Sequence, residues 1–158
     1  MQRKRVALEI EPGRVLKRYS KAESRKLAQQ WLAIFGMDAR GANTKAYLWH
    51  VFSFERYASA SKNEARKLYE QQIAPTYIVL TNDQEEAIET DALASWCSHA
   101  DFYVFPPNFA WTMAFTHEDD WLGPYFAMHQ HYDALHQANL AQIQKNQEIE
   151  LAKKEGWL

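Results

Sequence analysis

The sequence predicts an α+β fold: a mostly antiparallel sheet of roughly four strands, with helices packed on it and a long C-terminal helix. Two observations carry this prediction. Short runs rich in aromatic and β-branched residues alternate along the chain with segments whose apolar residues follow helical spacing. Pro106, Pro107 and Asn108 separate two of these runs, 102–105 and 109–116, which indicates a hairpin and therefore antiparallel pairing.

The first helix is predicted to begin at Ser20 and to end near Gly36. Ser20 is a favourable N-cap, and Glu23 three residues later completes a capping box. The apolar residues between these limits follow the helical period: Leu27, Trp31, Ile34 and Phe35.

Two further helices are predicted. Ser59 or Ser61 is a suitable cap for one that stops before Pro75. The other begins at about Pro124 and runs towards Lys154, with an inner stripe formed by Met128, Tyr132 and Leu135. Its last part, residues 140–158, is polar enough to project or fray.

The remaining predicted strands are 47–54, which is rich in aromatic residues, and 76–80. Residues 84–100 predict a short helix and a loop. In the run 109–116, large side chains alternate with small ones, which predicts a strand half-buried under helices; the large set is Phe109, Trp111, Met113 and Phe115, and the small set is Ala110, Thr112, Ala114 and Thr116.

Charge is unevenly distributed along the chain. Residues 1–67 hold fifteen Lys and Arg against six acids, whereas residues 68–144 hold eleven acids and no Lys or Arg. The last fourteen residues balance, so the net charge of −2 conceals a basic and an acidic part. An acidic field attracts cationic partners and repels nucleic acid and anionic membranes.

Composition indicates a single folded domain over residues 1–158, with residues 1–19 as a basic N-terminal segment. Hydrophobic residues make up 47% of the chain, enough for a packed core. No apolar run approaches the ~20 residues that span a bilayer, and the basic start lacks the apolar stretch of a signal peptide. The single Cys97 permits no internal disulfide, and we therefore expect a cytoplasmic protein.

The densest group of chemically capable residues follows the last predicted strand. His117 stands beside Glu118, Asp119 and Asp120, a combination that can bind a divalent metal or perform acid–base chemistry. His129, Asp133 and His136 share one helix face and could add ligands. The chain contains no recognised metal-binding pattern, so a capped, solvated loop is the favoured interpretation and no metal or cofactor is predicted.

Three weaker signals have structural explanations. Cys97 and His99 could form a thiol nucleophile, but a small, partly buried cysteine is favoured. His50 is interpreted as a hydrogen-bonded structural histidine. The basic N-terminal third could contact phosphates, although pairing with the protein's own acidic part is favoured; its cations are Arg3, Lys4, Arg5, Arg14, Lys17, Arg18, Lys21, Arg25 and Lys26.

Three segments resemble a family of small uncharacterised bacterial proteins: 101–118, which contains Trp-Thr-Met-Ala-Phe-Thr-His-Glu, 122–126, which reads Leu-Gly-Pro-Tyr-Phe, and 47–53. In size and charge such proteins also resemble the immunity proteins of bacterial polymorphic toxin systems. That resemblance implies binding to a cognate toxin, and it implies no catalytic residues.

The function expected from these observations is that of a non-enzymatic binding protein, most concretely an immunity protein that occludes a basic toxin domain such as a nuclease. The predicted partner-binding residues are five carboxylates and two aromatic anchors: Glu85, Glu86, Glu118, Asp119, Asp120, Trp121 and Tyr125. The alternatives are a small metal-assisted hydrolase centred on His117 and Glu118, and a nucleic-acid-associated regulator that uses the basic N-terminus. The partner and the oligomeric state stay open.

Overall fold

The computed structural model describes residues 6–38, 42–118 and 121–156. In this part of the chain the helices are α1 (Lys21–Phe35), α2 (His50–Ser53), α3 (Lys62–Glu70) and α4 (Tyr132–Lys154). The strands are β1 (Ile10–Glu11), β2 (Val15–Arg18), β3 (Ala60–Ser61), β4 (Tyr77–Thr81), β5 (Ala87–Thr90), β6 (Trp96–Cys97), β7 (Phe102–Phe105), β8 (Trp111–Phe115) and β9 (Tyr125–Met128).

The strands form one large sheet and one small sheet. Seven strands pair antiparallel in the order β2-β5-β4-β7-β8-β9-β3, and β1 pairs with β6 in a separate two-stranded sheet. The α+β class, the antiparallel sheet and the C-terminal helix are therefore confirmed. The prediction of roughly four strands is wrong, because four strands of the large sheet, β2, β3, β5 and β9, lie in segments that were not predicted to be strands.

Each face of the large sheet is covered by its own hydrophobic layer. Helices α1 and α2 pack on one face, where Trp31 and Phe52 join the core. Helix α3, the start of α4 and the N-terminal segment with Leu8 pack on the other. The sheet is consequently a central layer, and its middle strands are buried on both sides.

In strand β8, the large and the small side chains point into different layers of the core. Trp111 and Met113 enter the layer under α3, and Ala114 enters the layer under α1. The small side chains let α1 approach closely enough for the Trp31 indole N–H to donate to Thr112 Oγ1 at 2.9 Å. The predicted half-buried strand is instead buried on both faces, because a second layer covers the small side as well.

Several local predictions are confirmed. Ser20 accepts from the backbone N–H of Glu23, and the Glu23 carboxylate accepts from the backbone N–H of Ser20, which is the predicted capping box. Strands β7 and β8 form the predicted hairpin. The second helix is also present as α3, although the Ser61 side chain makes no capping hydrogen bond.

The predicted strand 47–54 is wrong, because this segment forms turns and the short helix α2. Its backbone N–H groups at Leu48 and Trp49 donate to the Asn82 side chain and the Tyr103 hydroxyl rather than to a neighbouring strand. A continuous apolar run is compatible with a buried helix as well as a buried strand, and periodicity does not separate the two.

Two further segments differ from prediction. Residues 84–100 hold strands β5 and β6 instead of a helix, since Ala87, Ile88 and Thr90 fit the buried edge of β4. The last helix begins at Tyr132 rather than near Pro124, because residues 125–128 pair with β8 as strand β9. Met128 therefore lies on a strand and not on a helical stripe.

The two ends of the described chain have different roles. The basic segment before α1 contributes β1 and β2 and inserts Leu8 into the core. Helix α4 runs to Lys154, and most side chains of its second half are exposed. Among the described residues, no helix has the length and apolar character needed to span a membrane.

Candidate functional site

Several connections meet at one end of the large sheet because its strands are antiparallel. Strands β4 and β8 end there, and β5, β7 and β9 begin there. Asn82 fastens the segment before α2 to this end: its Oδ1 accepts from the Leu48 N–H at 3.1 Å and the Tyr103 hydroxyl at 2.7 Å, and its Nδ2 donates to the Ala46 carbonyl at 2.8 Å. Loops that are distant in sequence thus form one surface.

Asp101, immediately before β7, is the polar centre of this surface. Its Oδ1 accepts hydrogen bonds of 3.0 Å from the Trp49 indole N–H, from the backbone N–H of His117 and from His117 Nδ1. Only 14% of the Asp101 side chain is exposed. A carboxylate held by this many donors is fixed in position, and it fixes its donors in turn.

The imidazole of His117 lies between two carboxylates. Its Nδ1 is 3.0 Å from both oxygens of Asp101 and therefore carries the proton, while Nε2 is 3.6 Å from Glu118 Oε1. The hydrogen bond to Asp101, and secondarily the charges of Asp101 and Glu118, raise the pKa of His117 above its usual value. The ring also packs on Tyr47, with 5.0 Å between centroids, so its orientation is fixed.

The loop after β8 is closed by hydrogen bonds between its own residues. The Glu118 carbonyl accepts from the backbone N–H groups of Trp121 and Leu122, and the Thr116 hydroxyl donates to the Leu122 carbonyl. Gly123 has φ +108°, and a Cβ at this position would lie 2.9 Å from Thr116 Cγ2, so glycine is required for this closure. The closed loop leaves Trp121 78% exposed.

Two of the predicted partner-binding residues lie on this surface as expected. Glu118 is partly exposed beside His117, and Trp121 is the most exposed large hydrophobic residue in the described ranges. Asp119 and Asp120 lie outside the described residues. Tyr125 belongs to β9 and is only 6% exposed, stacked at 6.2 Å on Trp49. The prediction of Tyr125 as an exposed anchor is not supported, because the residue begins a buried strand.

Glu85 and Glu86 lie at the same end of the sheet but make internal contacts. Glu85 is 3.2 Å from Lys21 Nζ and 3.9 Å from Arg25 Nη2, both on α1. Glu86 accepts the backbone N–H of Leu8 at 2.9 Å and so holds the N-terminal segment. These carboxylates are structural contacts of this protein, so we exclude them from the candidate docking surface.

One further ion pair joins the basic N-terminal part to the acidic part, as the sequence predicts. Arg14 Nε donates to Asp91 Oδ2 at 3.0 Å, and its backbone N–H donates to the other Asp91 oxygen. The hydrogen bonds from Arg14 lower the pKa of Asp91. The cations Arg3, Lys4 and Arg5 lie outside the described residues.

The two halves of the suggested metal site are far apart. His117 follows the end of β8, whereas the backbone N–H of His129 donates to the carbonyl of Ala110 at the start of the same strand. The intervening strand separates them by roughly 20 Å at ~3.3 Å per residue. Within the ranges that the structure describes, no three His, Cys, Asp or Glu side chains are placed to hold a metal ion. The two histidine groups are therefore not one site.

The remaining reactive candidates are structural. Cys97 is buried, and burial raises the pKa of its thiol to about 11, which disfavours the nucleophilic thiolate. His99 Nε2 lies 3.0 Å from the Val6 carbonyl, a contact that helps hold the N-terminal segment. His50 Nδ1 lies 2.8 Å from the Asn43 carbonyl, which confirms the structural role predicted for it.

A family match includes all the residues of this surface. Residues 18–126, about two thirds of the chain, match the model of the Domain of unknown function (DUF4275). The chain belongs to this family. The DUF4275 match contains all three segments on which the resemblance to an uncharacterised family rested, and it ends before α4. No curated protein and no solved structure matches the chain.

Two residues of the candidate site were not predicted from the sequence. From the sequence, Tyr47 falls in a predicted strand, and Asp101 is included only among the eleven acids and as the first residue of the segment 101–118 that carries the family resemblance. An acid directly before a strand that is followed by a hairpin and a histidine is a usable signal, because antiparallel pairing of β7 and β8 brings residues 101 and 117 together.

Proposed function

We propose that this DUF4275 protein is a non-enzymatic binding protein, and that it docks a basic protein partner on the end of the sheet formed by Asp101, His117, Glu118 and Trp121. The single observation that carries the proposal is the exposure of Trp121. An indole that is 78% exposed contributes little to the fold, and it is held out by a closed loop rather than by a free chain end.

Physical chemistry supports a contact role for such a residue. Tryptophan is enriched among the few interface residues that contribute most of the binding free energy. At the same end of the sheet, Asp101 and His117 are already oriented by hydrogen bonds, and Glu118 lies 3.6 Å from His117 Nε2, so ordering these residues on binding costs little conformational entropy.

Charge supports a basic partner. The chain from 68 to 144 contains no Lys or Arg, and it includes the whole loop that displays Trp121. Glu85, Glu86 and Asp91 are used in internal contacts, whereas Glu118, on the loop that displays Trp121, keeps 41% of its side chain exposed. Complementary charge speeds association and selects the partner, whereas desolvated aromatic contacts slow dissociation.

In its most concrete form, the proposal makes the protein an immunity protein. The partner is then a basic toxin domain, such as a nuclease, whose cationic active-site groove is occluded. The size of the chain and its acidic second part support this form.

The test is calorimetry between the full-length protein and the product of the neighbouring gene at about 20 mM and about 150 mM salt. We expect tight binding that weakens as salt rises. Absence of heat at both salt concentrations, with both proteins folded, would overturn the immunity form. Binding that does not respond to salt would overturn the electrostatic part.

One arrangement favours a second function. Asp101 orients the imidazole of His117 as a carboxylate orients a general base, and 37% of the His117 side chain is exposed. This supports acid–base chemistry of the hydrolase type centred on His117 and Glu118. Titration of tag-free protein with Zn²⁺ and Mg²⁺ tests the metal-assisted form: saturable binding that is lost in Glu118→Gln supports it, and no binding contradicts it.

A further inference from the structure

A row of four rings crosses the docking end of the sheet, and we call Phe54, His50, Tyr47 and His117 the aromatic row. Successive ring centroids are 5.3, 5.3 and 5.0 Å apart. Phe54 is 52% exposed, His50 and Tyr47 are half-buried, and His117 is exposed. The row therefore presents a partly exposed aromatic surface.

The row is rigid because Trp49 lies behind it. The Trp49 ring is 5.1 Å from Tyr47, 4.7 Å from His50 and 6.1 Å from His117, and only 2% of the residue is exposed. Its indole N–H is held by Asp101. A ring fixed in this way can accept a stacking partner without first losing rotamer freedom.

One end of the row places an exposed carboxylate beside its rings. At this end, Glu118 lies 3.6 Å from His117 Nε2, with 41% of its side chain exposed, and Trp121 follows on the same loop. At the other end, the exposed residues Glu55 and Arg56 follow Phe54 and carry opposite charges. The Glu118 end therefore offers a cationic group both a carboxylate and aromatic rings.

We infer that this end, formed by Tyr47, His117, Glu118 and Trp121, binds guanidinium groups, so that the partner engages it through arginine rather than lysine side chains. The inference rests on the proposed function, because it specifies which chemical group of a basic partner the docking surface takes.

The preference for arginine follows from the shape and hydration of the two cations. A guanidinium is planar, stacks on aromatic faces, and pairs with a carboxylate through two parallel N–H groups. A lysine ammonium is compact and strongly hydrated, so transfer to a ring surface costs it more hydration. The site combines rings and a carboxylate, which suits the planar cation better.

The experiment is a two-dimensional NMR titration of the full-length ¹⁵N-labelled protein with argininamide and, separately, with lysinamide. The indole N–H signals of Trp121 and Trp49 and the backbone signals of residues 117, 118, 121 and 122 report the site. We expect saturable shifts there, with argininamide about two- to five-fold tighter than lysinamide. Trp121→Ala and Glu118→Gln should each weaken the argininamide effect.

The controls are matched by residue type. Trp96→Ala removes an exposed tryptophan from the separate small sheet, and Glu148→Gln removes a carboxylate from the exposed second half of α4. Both should leave the titration unchanged. Equal affinity for the two amides, absence of shifts, or shifts that persist in Trp121→Ala would each overturn the inference.

The outcome is separable from that of the proposed function. If the neighbouring-gene product binds in calorimetry but the amide titration shows no arginine preference, the guanidinium inference fails and the docking proposal stands. If the amides bind selectively while that protein produces no heat, the site recognises guanidinium and the immunity form fails.

Discussion

Asp101 and His117 come from two different loops, and the Asp101 carboxylate holds both the backbone N–H and the ring Nδ1 of His117 at 3.0 Å. The same carboxylate holds the indole of Trp49, on which the aromatic row rests. One side chain thus links the loop that displays Trp121 to the segment that carries Tyr47. This link holds together, before any partner binds, the surface on which we propose that a partner docks.

Replacing Asp101 by Asn tests that link. Asn keeps the shape of the side chain but loses its charge, so the hydrogen bond that raises the pKa of His117 is weakened. We expect the pKa of His117 to fall and the protein to lose about 1.5–3 kcal/mol of stability. NMR titration of the His117 ring and urea denaturation measure the two effects. An unchanged His117 pKa would contradict the role of Asp101.

The contribution of His117 to the free energy of unfolding should decrease as pH rises. Since the pKa of folded His117 is raised above its unfolded value of about 6.5, the contribution of this residue is fully present below that pH and is lost as pH rises through the folded-state pKa. Wild-type protein and His117→Gln should therefore differ more in unfolding free energy at about pH 6 than at about pH 9. A difference that grows with pH would refute this sign.

Substitutions of Trp121 and of Trp49 should differ in their effect on stability, because Trp121 is exposed and Trp49 is buried. Trp121→Ala removes an exposed indole and should change the free energy of unfolding by less than about 0.5 kcal/mol. Trp49→Ala removes a buried indole that donates to Asp101 and should cost about 3–5 kcal/mol. Urea denaturation of both variants gives the comparison. A large stability loss in Trp121→Ala would mean that Trp121 belongs to the core.

The buried hydrogen bond between Trp31 and Thr112 predicts coupling across the α1–sheet interface. Thr112→Val keeps the volume but leaves the Trp31 indole N–H without its acceptor, which should cost about 1–3 kcal/mol. Adding Trp31→Phe should cost less in the Thr112→Val background than in wild-type protein, because the orphaned donor is removed. Strict additivity in this double-mutant cycle would show that the hydrogen bond contributes little.

Local signals in the sequence predicted part of this fold correctly. The Ser20–Glu23 capping box and the turn between β7 and β8 depend on neighbouring residues, and both are present. The predictions for residues 47–54 and for strand β9 were wrong because the structure of each depends on residues distant in sequence. Residues 47–54 depend on Asn82 and Tyr103, and β9 depends on β8. No local pattern contains that information.

In the candidate site, too, the sequence indicated what depends on neighbouring residues and did not indicate what depends on distant contacts. Loop chemistry indicated that Glu118 and Trp121 lie at the surface, because an acid and an indole in a polar loop tend to be exposed, and both are at least partly exposed. The sequence did not indicate the internal contacts of Glu85 and Glu86 or the burial of Tyr125, since these depend on α1, the N-terminal segment and Trp49. Asp101 was missed because its importance arises only when β7 and β8 pair.

The central claim is that Trp121 is the anchor of a docking surface. The most direct test compares Trp121→Ala with Trp96→Ala in calorimetric titrations against a partner that binds wild-type protein. The account predicts that Trp121→Ala weakens binding by about 2 kcal/mol or more, roughly thirty-fold, while Trp96→Ala changes it by less than about 0.5 kcal/mol. Equal affinities for wild-type protein and Trp121→Ala would contradict the claim.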